Sequence, residues 1–149
     1  MSKKLSFKGS IIPAADEQRI KLATLDGKTG YRITKFQIIS STPGVGNEEN
    51  ICQIHTRREG PSATVDFTND SLMAVCFTSN VNAVTSGYHE TIIFDNKVVN
   101  QDIFISGTDA AGGTVPFNYY IETETVALSD LQSTQLTLKN LRNIASRTP

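Results

Sequence analysis

Short segments rich in β-branched and aromatic residues recur along most of this 149-residue chain. Residues of these types favour strands, and the clusters of Asn, Asp, Gly and Ser between the segments mark turns. Beyond residue 50 the predicted strands are 51–56, 64–67, 72–78, 91–94, 98–106 and 117–126. With about eight strands in all and no helices interleaved, the pattern predicts an all-β antiparallel β-sandwich or jelly roll rather than a parallel α/β fold.

Two predicted hairpins set the expected pairing. Residues 19–25 alternate charged and apolar side chains, residues 26–30 form a glycine-containing turn, and residues 31–39 form the returning strand. The apolar positions of the returning strand change parity midway, which predicts a β-bulge near residues 34–35. Residues 95–97 are short enough to close a second, tight hairpin between Phe94 and Val98.

The C-terminal stretch has a different pattern. Ser129 and Gln132 fit a capping box, which predicts that a short helix begins there and runs near 129–145. One apolar stripe would then contain Leu131, Leu138, Leu141 and Ala145. The alternation at residues 136–138 leaves a final strand as the other interpretation.

The N-terminal residues 1–13 are interpreted as an arm, and residues 14–149 as a single β-sandwich domain that ends in the helix. The arm is short but carries apolar side chains that would suit addition to the sheet of a neighbouring copy. These side chains are Leu5, Phe7, Ile11 and Ile12. No internal repeat and no linker divides the rest of the chain.

Charge and hydropathy narrow the classes of partner. The net charge of −1 creates no overall field toward nucleic acid or an anionic membrane, so neither partner is expected. No apolar run approaches the roughly 18 residues of a membrane span, and no secretory leader is evident, so synthesis in the cytoplasm is expected. Cys52 and Cys76 are interpreted as reduced, buried small hydrophobes, with their pairing left open.

No pattern for metal binding or acid–base catalysis stands out. His55 and His89 are the only histidines, and neither has a partner at the spacing of a zinc site. Glu122 and Glu124 would project from one face of a strand, which is expected to be the solvated face. The enzymatic alternative requires that the same two carboxylates face a cleft and activate a water molecule.

Other catalytic and cofactor motifs are also missing. The chain has no G-x-S-x-G nucleophile elbow and no complete dinucleotide or phosphate loop. Residues 109–113 could offer oxygen atoms to calcium, but one carboxylate is too few for an ion that takes six or more ligands. The sequence therefore predicts no catalytic residue, no metal and no cofactor.

One family resemblance spans nearly the whole chain and depends on the order of short segments. The segments are 30–36, 65–67, 93–96, 99–103, 118–122 and 138–142. In this order they resemble small virion structural proteins of tailed marine bacteriophages. The resemblance implies a non-enzymatic β-sandwich subunit, assembled in the host cytoplasm into the virion, on the capsid as a decoration or minor capsid protein or in the tail. Its partners would be other copies of itself and other virion proteins.

The alternative function is a receptor-binding or carbohydrate-binding β-sandwich at a tail tip. Tyr88 and the loop at residues 107–114, which contains Asp109, would then contact the receptor. The chain contains no Trp, the side chain that stacks best on sugars, and this disfavours the carbohydrate version.

Overall fold

The computed structural model describes residues 2–15, 17–43, 47–80, 88–94 and 97–147, and in these ranges it contains eight strands and one helix. The strands are Lys4–Ile11 (β1), Gln18–Ile20 (β2), Thr29–Ser40 (β3), Glu48–His55 (β4), Leu72–Asn80 (β5), Tyr88–Ile93 (β6), Ile103–Asp109 (β7) and Phe117–Ala127 (β8). The helix is Asp130–Arg147 (α1). The predicted all-β sandwich with a C-terminal helix is confirmed.

The strands form two antiparallel sheets. One has three strands in the order β1-β8-β3, and the other has five in the order β2-β7-β4-β5-β6. The expected N-terminal arm is corrected by this topology, because β1 pairs with β8 over its whole length and is an edge strand of its own chain's sheet. Backbone hydrogen bonds thus tie residues 4–11 into the domain.

The core lies between the two sheets and contains large side chains such as Phe36, Phe117 and Ile121. A row of small residues across the five-stranded sheet makes room for them. The row runs in register through Gly107, Cys52, Cys76 and Thr91. The ring of Phe117 packs so closely on Gly107 that a Cβ there would lie 2.2 Å from Phe117 Cζ. The two cysteines are free and buried, as expected.

The first predicted hairpin is wrong, although its bulge is confirmed as a register shift between Ile33 and Lys35. β2 ends at Ile20 and pairs with β7, while β3 pairs with β8 in the other sheet. The cause is Asp102, whose carboxylate accepts hydrogen bonds from the backbone N–H groups of Leu22 and Ala23 at 2.8 and 2.9 Å. Those amides are therefore not available to extend the strand.

The second predicted hairpin is also wrong. The N–H of Lys97 donates to the carbonyl of Phe94 at 3.0 Å, which closes a turn, but among the described residues β6 and β7 do not pair with each other. β6 pairs with β5, and β7 pairs with β2 and β4. Residues 95 and 96 lie outside the described residues. The predicted strand at 98–106 is divided into an isolated bridge from Val99 to Tyr31 and the strand β7.

The predicted strand at 64–67 is instead part of a loop. Asp66 accepts hydrogen bonds from the backbone N–H and the hydroxyl of Thr68 at 2.9 and 2.6 Å, a local turn that competes with strand pairing. The loop covers the outer face of β4, where the Gln53 amide donates to the carbonyls of Ser62 and Thr64. Local side-chain hydrogen bonding therefore outweighs the β propensity of this segment.

Glu59 anchors the same loop and should make stability depend on pH. Partial burial alone would raise the pKa of Glu59, but hydrogen bonds from Arg57, Ser71 and Asn69, together with the Arg57 charge, lower it to about 2. A carboxyl whose pKa is lowered by folding stabilises the protein above its unfolded pKa, and that stability is lost as the pH falls toward 2.

We therefore expect Glu59→Gln to lower the free energy of unfolding at pH 7 but to have little effect near pH 2, where the wild-type carboxyl is itself becoming protonated. Urea unfolding at a series of pH values measures this difference. Asp66→Asn is the comparison at an exposed carboxyl: hydrogen bonds from Thr68 also lower its pKa, but solvent screens that carboxyl, so its penalty at pH 7 should be smaller than that of Glu59→Gln. A Glu59→Gln penalty that stayed constant from pH 7 to pH 2 would contradict the assignment.

Candidate functional site

The residues predicted to contact partners do not form one site. Leu5 and Phe7 pack half-buried against the core, and Ile11 is buried within it. Ile12 is exposed just beyond β1. Tyr88 begins β6, but its side chain lies outside the described residues. Asp109 is buried at the end of β7. Two other features are better candidates for function, the outer face of α1 and a group of buried oxygen atoms.

The helix α1 begins with the predicted capping box. The backbone N–H of Ser129 donates to Gln132 Oε1 at 3.0 Å, and the N–H of Gln132 donates to Ser129 Oγ at 3.2 Å. The helix interpretation of this segment is therefore confirmed and the strand alternative is wrong. Its first turn also carries Asp130, which forms an ion pair with Lys28 at 2.9 Å.

The apolar stripe of α1 faces outward, contrary to the usual arrangement in an amphipathic helix. Leu131, Leu138 and Leu141 are 67%, 53% and 56% exposed. We call these three side chains the leucine stripe. Ala145, predicted on the same stripe, has a side chain outside the described residues.

The underside of α1 is polar. Asn100 is almost fully buried beneath the helix, and its amide Nδ2 lies 3.0 Å from the Gly27 carbonyl, 3.3 Å from the Ser133 carbonyl and 3.1 Å from Thr137 Oγ1. Ser133 is buried and Leu136 is half-buried on this side. The helix is thus held to the sandwich mainly through polar contacts, and its leucines contact solvent.

A cavity of about 160 Å³ lies beside this contact, between α1 and residues 97–102. Two lysines line it, but both are near Asp70: Lys97 Nζ is 3.6 Å from Asp70 Oδ1 and Lys139 Nζ is 4.0 Å from Asp70 Oδ2. Among the described residues, Asn100 and Thr56 also line the cavity, and each has a buried oxygen without a hydrogen-bond partner, but the two carboxylates that line it, Asp70 and Asp102, are already paired with Lys97 and Arg19. The described part of the cavity therefore offers a cation no free carboxylate.

The second feature is a group of oxygen-bearing side chains at one end of the sandwich, where β3 and β7 end and β4 begins. We call it the end cluster, and it consists of Ser40, Glu48, Asn50 and Asp109. Asn50 lies directly opposite Asp109 in the pairing of β4 with β7, so both side chains are on one face of the sheet. Glu48 is two residues before Asn50 and shares that face.

The carboxylates and amide of the end cluster are deeply buried. Glu48, Asn50 and Asp109 are 3%, 1% and 5% exposed. The hydroxyl of Ser40 lies 2.9 Å from both carboxylate oxygens of Glu48. Asp109 Oδ1 accepts hydrogen bonds from the N–H groups of Glu49 and Ala111 at 3.0 and 2.9 Å. Within the part of the chain that the structure describes, Asn50 Oδ1 and Asp109 Oδ2 have no hydrogen-bond partner.

The end cluster is not predictable from one loop of the sequence. Residues 109–113 contain a single carboxylate, too few for calcium by themselves. Glu48 and Asn50 are about 60 residues away in sequence, and only the pairing of β4 with β7 brings them to Asp109. The sequence does contain one sign of this site: Glu48 and Asn50 lie two residues apart on one strand, so their side chains share a face.

The acidic pair Glu122 and Glu124 lies on the outer face of β8, as expected. Glu124 forms an ion pair with Arg32 at 2.8 Å, and Glu122 accepts a hydrogen bond from the Tyr120 hydroxyl at 2.8 Å. Their neighbours Ile121 and Thr123 point into the buried side. The two carboxylates therefore have separate partners on the outer sheet face.

Two kinds of feature are absent from the described ranges. No group of three or more His, Cys, Asp or Glu side chains is placed to hold a metal ion. No helix in the described part of the chain has the length and apolar character of a membrane span.

The chain matches no protein-family model, and a search of curated proteins returns no match.

Proposed function

We propose that this chain is a non-enzymatic structural subunit of a phage particle, on the capsid or the tail, and that it acts by associating with other copies of itself and with other virion proteins. The order of segments that resembles small phage virion proteins supports this function. The observation that carries the self-association is the leucine stripe of α1. Three large apolar side chains are kept in water on a helix whose underside is polar.

Burying the leucine stripe would release apolar surface from water, at about 25 cal/mol per Å². Its spacing suits a second helix, because Leu131, Thr134, Leu138 and Leu141 follow the alternating steps of three and four residues of a helix-packing seam. We take the occupant to be α1 of a second copy. A contact of this kind, repeated by symmetry, would serve a lattice or a ring.

The sheet edge at β1 is a poorer surface for association. Lys4 and Lys8 are exposed along this edge strand, and edge lysines oppose the addition of a further strand. Helix packing is therefore the preferred route of self-association, and not the strand addition expected from the sequence.

Leu138→Glu is the variant that tests this contact. It is expected to shift the purified protein toward monomer, because a charge would enter the centre of the leucine stripe. Sedimentation velocity measures the shift. Leu25→Glu is the matched control, because Leu25 is fully exposed in the loop before β3 and lies outside the stripe. Equal association by both variants and the wild type would argue against α1 as the interface.

The role in a particle needs its own experiment. Phage particles purified from a culture whose phage encodes this chain should contain it in many copies, as measured by peptide mass spectrometry. If the chain remained in the soluble fraction of the lysate and was missing from the particles, the structural function would be rejected whatever the result for α1.

A further inference from the structure

We propose that the end cluster binds one Ca²⁺ ion through Glu48, Asn50 and Asp109. This site would be independent of the proposed virion function, since it depends only on the end of the sandwich where β4 meets β7.

The described part of the end cluster contains two buried oxygens without a hydrogen-bond partner. Buried polar atoms are nearly always hydrogen-bonded, and a buried acceptor without a donor is costly. Asn50 Oδ1 and Asp109 Oδ2 are both in this state, and their side chains lie opposite each other on one face of the sheet. Both oxygens are hydrogen-bond acceptors, so neither can donate a hydrogen bond to the other. A cation between the two strands would satisfy both.

The oxygen atoms of the end cluster have the chemistry of a site for a hard cation. Carboxylate and amide oxygens are hard ligands, which favour Ca²⁺ or Mg²⁺ over zinc and copper. Glu48 adds a second buried carboxylate on the same face of β4. Three side chains at irregular positions suit Ca²⁺, which accepts variable geometry and completes its coordination with carbonyl groups and water, better than Mg²⁺, which requires a near-ideal octahedron.

Gly113 lies directly beside Asp109 in the end cluster. A Cβ at Gly113 would lie 2.5 Å from Asp109 Oδ2, so a side chain at this position would crowd the unpartnered oxygen. Glycine avoids that clash with an oxygen proposed as a ligand. An ion here would also bridge the start of β4 and the end of β7. It would stabilise the turn in which Asp109 Oδ1 accepts a hydrogen bond from the N–H of Ala111.

The small number of charged ligands determines the expected affinity for Ca²⁺. Two carboxylates and one amide are fewer charged ligands than high-affinity calcium loops possess, so we expect a dissociation constant of roughly 10⁻⁴ to 10⁻³ M, as in extracellular calcium modules. Binding to the folded state alone should raise the melting temperature as CaCl₂ is added.

The experiment uses the full-length chain after treatment with EDTA. Thermal unfolding is followed during titration with CaCl₂, and Tb³⁺ luminescence reports direct occupancy by an ion that resembles Ca²⁺. Asp109→Asn should weaken binding by about tenfold or more, because it removes one of the two carboxylates. Without calcium the same variant should be as stable as the wild type, because Oδ1 is kept and the new amide can donate to Asn50 Oδ1.

Glu49→Gln is the matched control. It removes the same charge from the next position of β4, whose side chain lies on the opposite face of the sheet. Its calcium response should equal that of the wild type, while Glu48→Gln should weaken the response as Asp109→Asn does. Equal melting temperatures of the wild type in CaCl₂ and EDTA would overturn the proposal. So would a calcium response that Asp109→Asn leaves unchanged.

Discussion

Gly107→Ala is expected to lower the free energy of unfolding by about 3 kcal/mol, the upper end of the usual cost of overpacking a core. The added Cβ would lie 2.2 Å from Phe117 Cζ, 2.9 Å from Phe117 Cε2 and 3.2 Å from Ile11 Cγ2. Phe117 is fully buried between the sheets and cannot move aside without displacing other core residues. The two sheets would have to separate locally, and urea unfolding of the variant measures the cost.

Two further variants distinguish this contact from other effects of losing a glycine. Gly60→Ala carries the penalty of a positive φ of 81°, which Gly107 does not have, but its Cβ would meet no atom of the described residues within 4 Å, so it measures a backbone penalty without a clash. Phe117→Leu in the Gly107→Ala background should recover part of the loss, since it shortens the clashing ring. A Gly107→Ala variant no less stable than Gly60→Ala would show that the sheets are less tightly packed than described.

Asn100→Ala is expected to cost about 1–3 kcal/mol, because buried acceptors beneath α1 would lose their donor. The amide of Asn100 lies within hydrogen-bond distance of Gly27, Ser133 and Thr137, three points on two separate segments. We expect the loss to be concentrated in α1. Hydrogen exchange should show faster exchange of the α1 amides, with the strands of the sandwich less affected.

Gln101→Ala is the control for Asn100→Ala. Gln101 is the next residue and is half-exposed beside the cavity. Its substitution should leave exchange in α1 near the wild-type rate. Uniform acceleration across strands and helix in Asn100→Ala would mean that Asn100 supports the whole fold and not the attachment of the helix.

The fold class could be predicted from the sequence because its signals are local. The strand segments, the bulge between Ile33 and Lys35 and the capping box at Ser129 each depend on neighbouring residues. Strand pairing could not be predicted in the same way. A short turn at 26–30 suggested a hairpin, but the Asp102 carboxylate, distant in sequence, ends the alternating segment early.

The candidate sites were harder to predict, since each depends on a contact between distant segments. The stripe of α1 was visible as periodicity, but periodicity does not tell which side faces the sandwich; Asn100 decides that by binding the polar side. The end cluster joins residues 48 and 50 to residue 109 through sheet pairing alone. A single sequence contains the residues of such a site, but it does not show that they lie next to each other in the folded protein.

The polar attachment of α1 also affects how the protein would respond to amino-acid substitutions on this helix. Because the leucine stripe contributes nothing to the core between the sheets, substitutions on it can alter the outer face of the helix without repacking the sandwich. Specificity for a partner and stability of the domain are therefore determined by different residues. A chain built this way can acquire a new neighbour by changing a few exposed positions on one helix, while its sheets remain as they are.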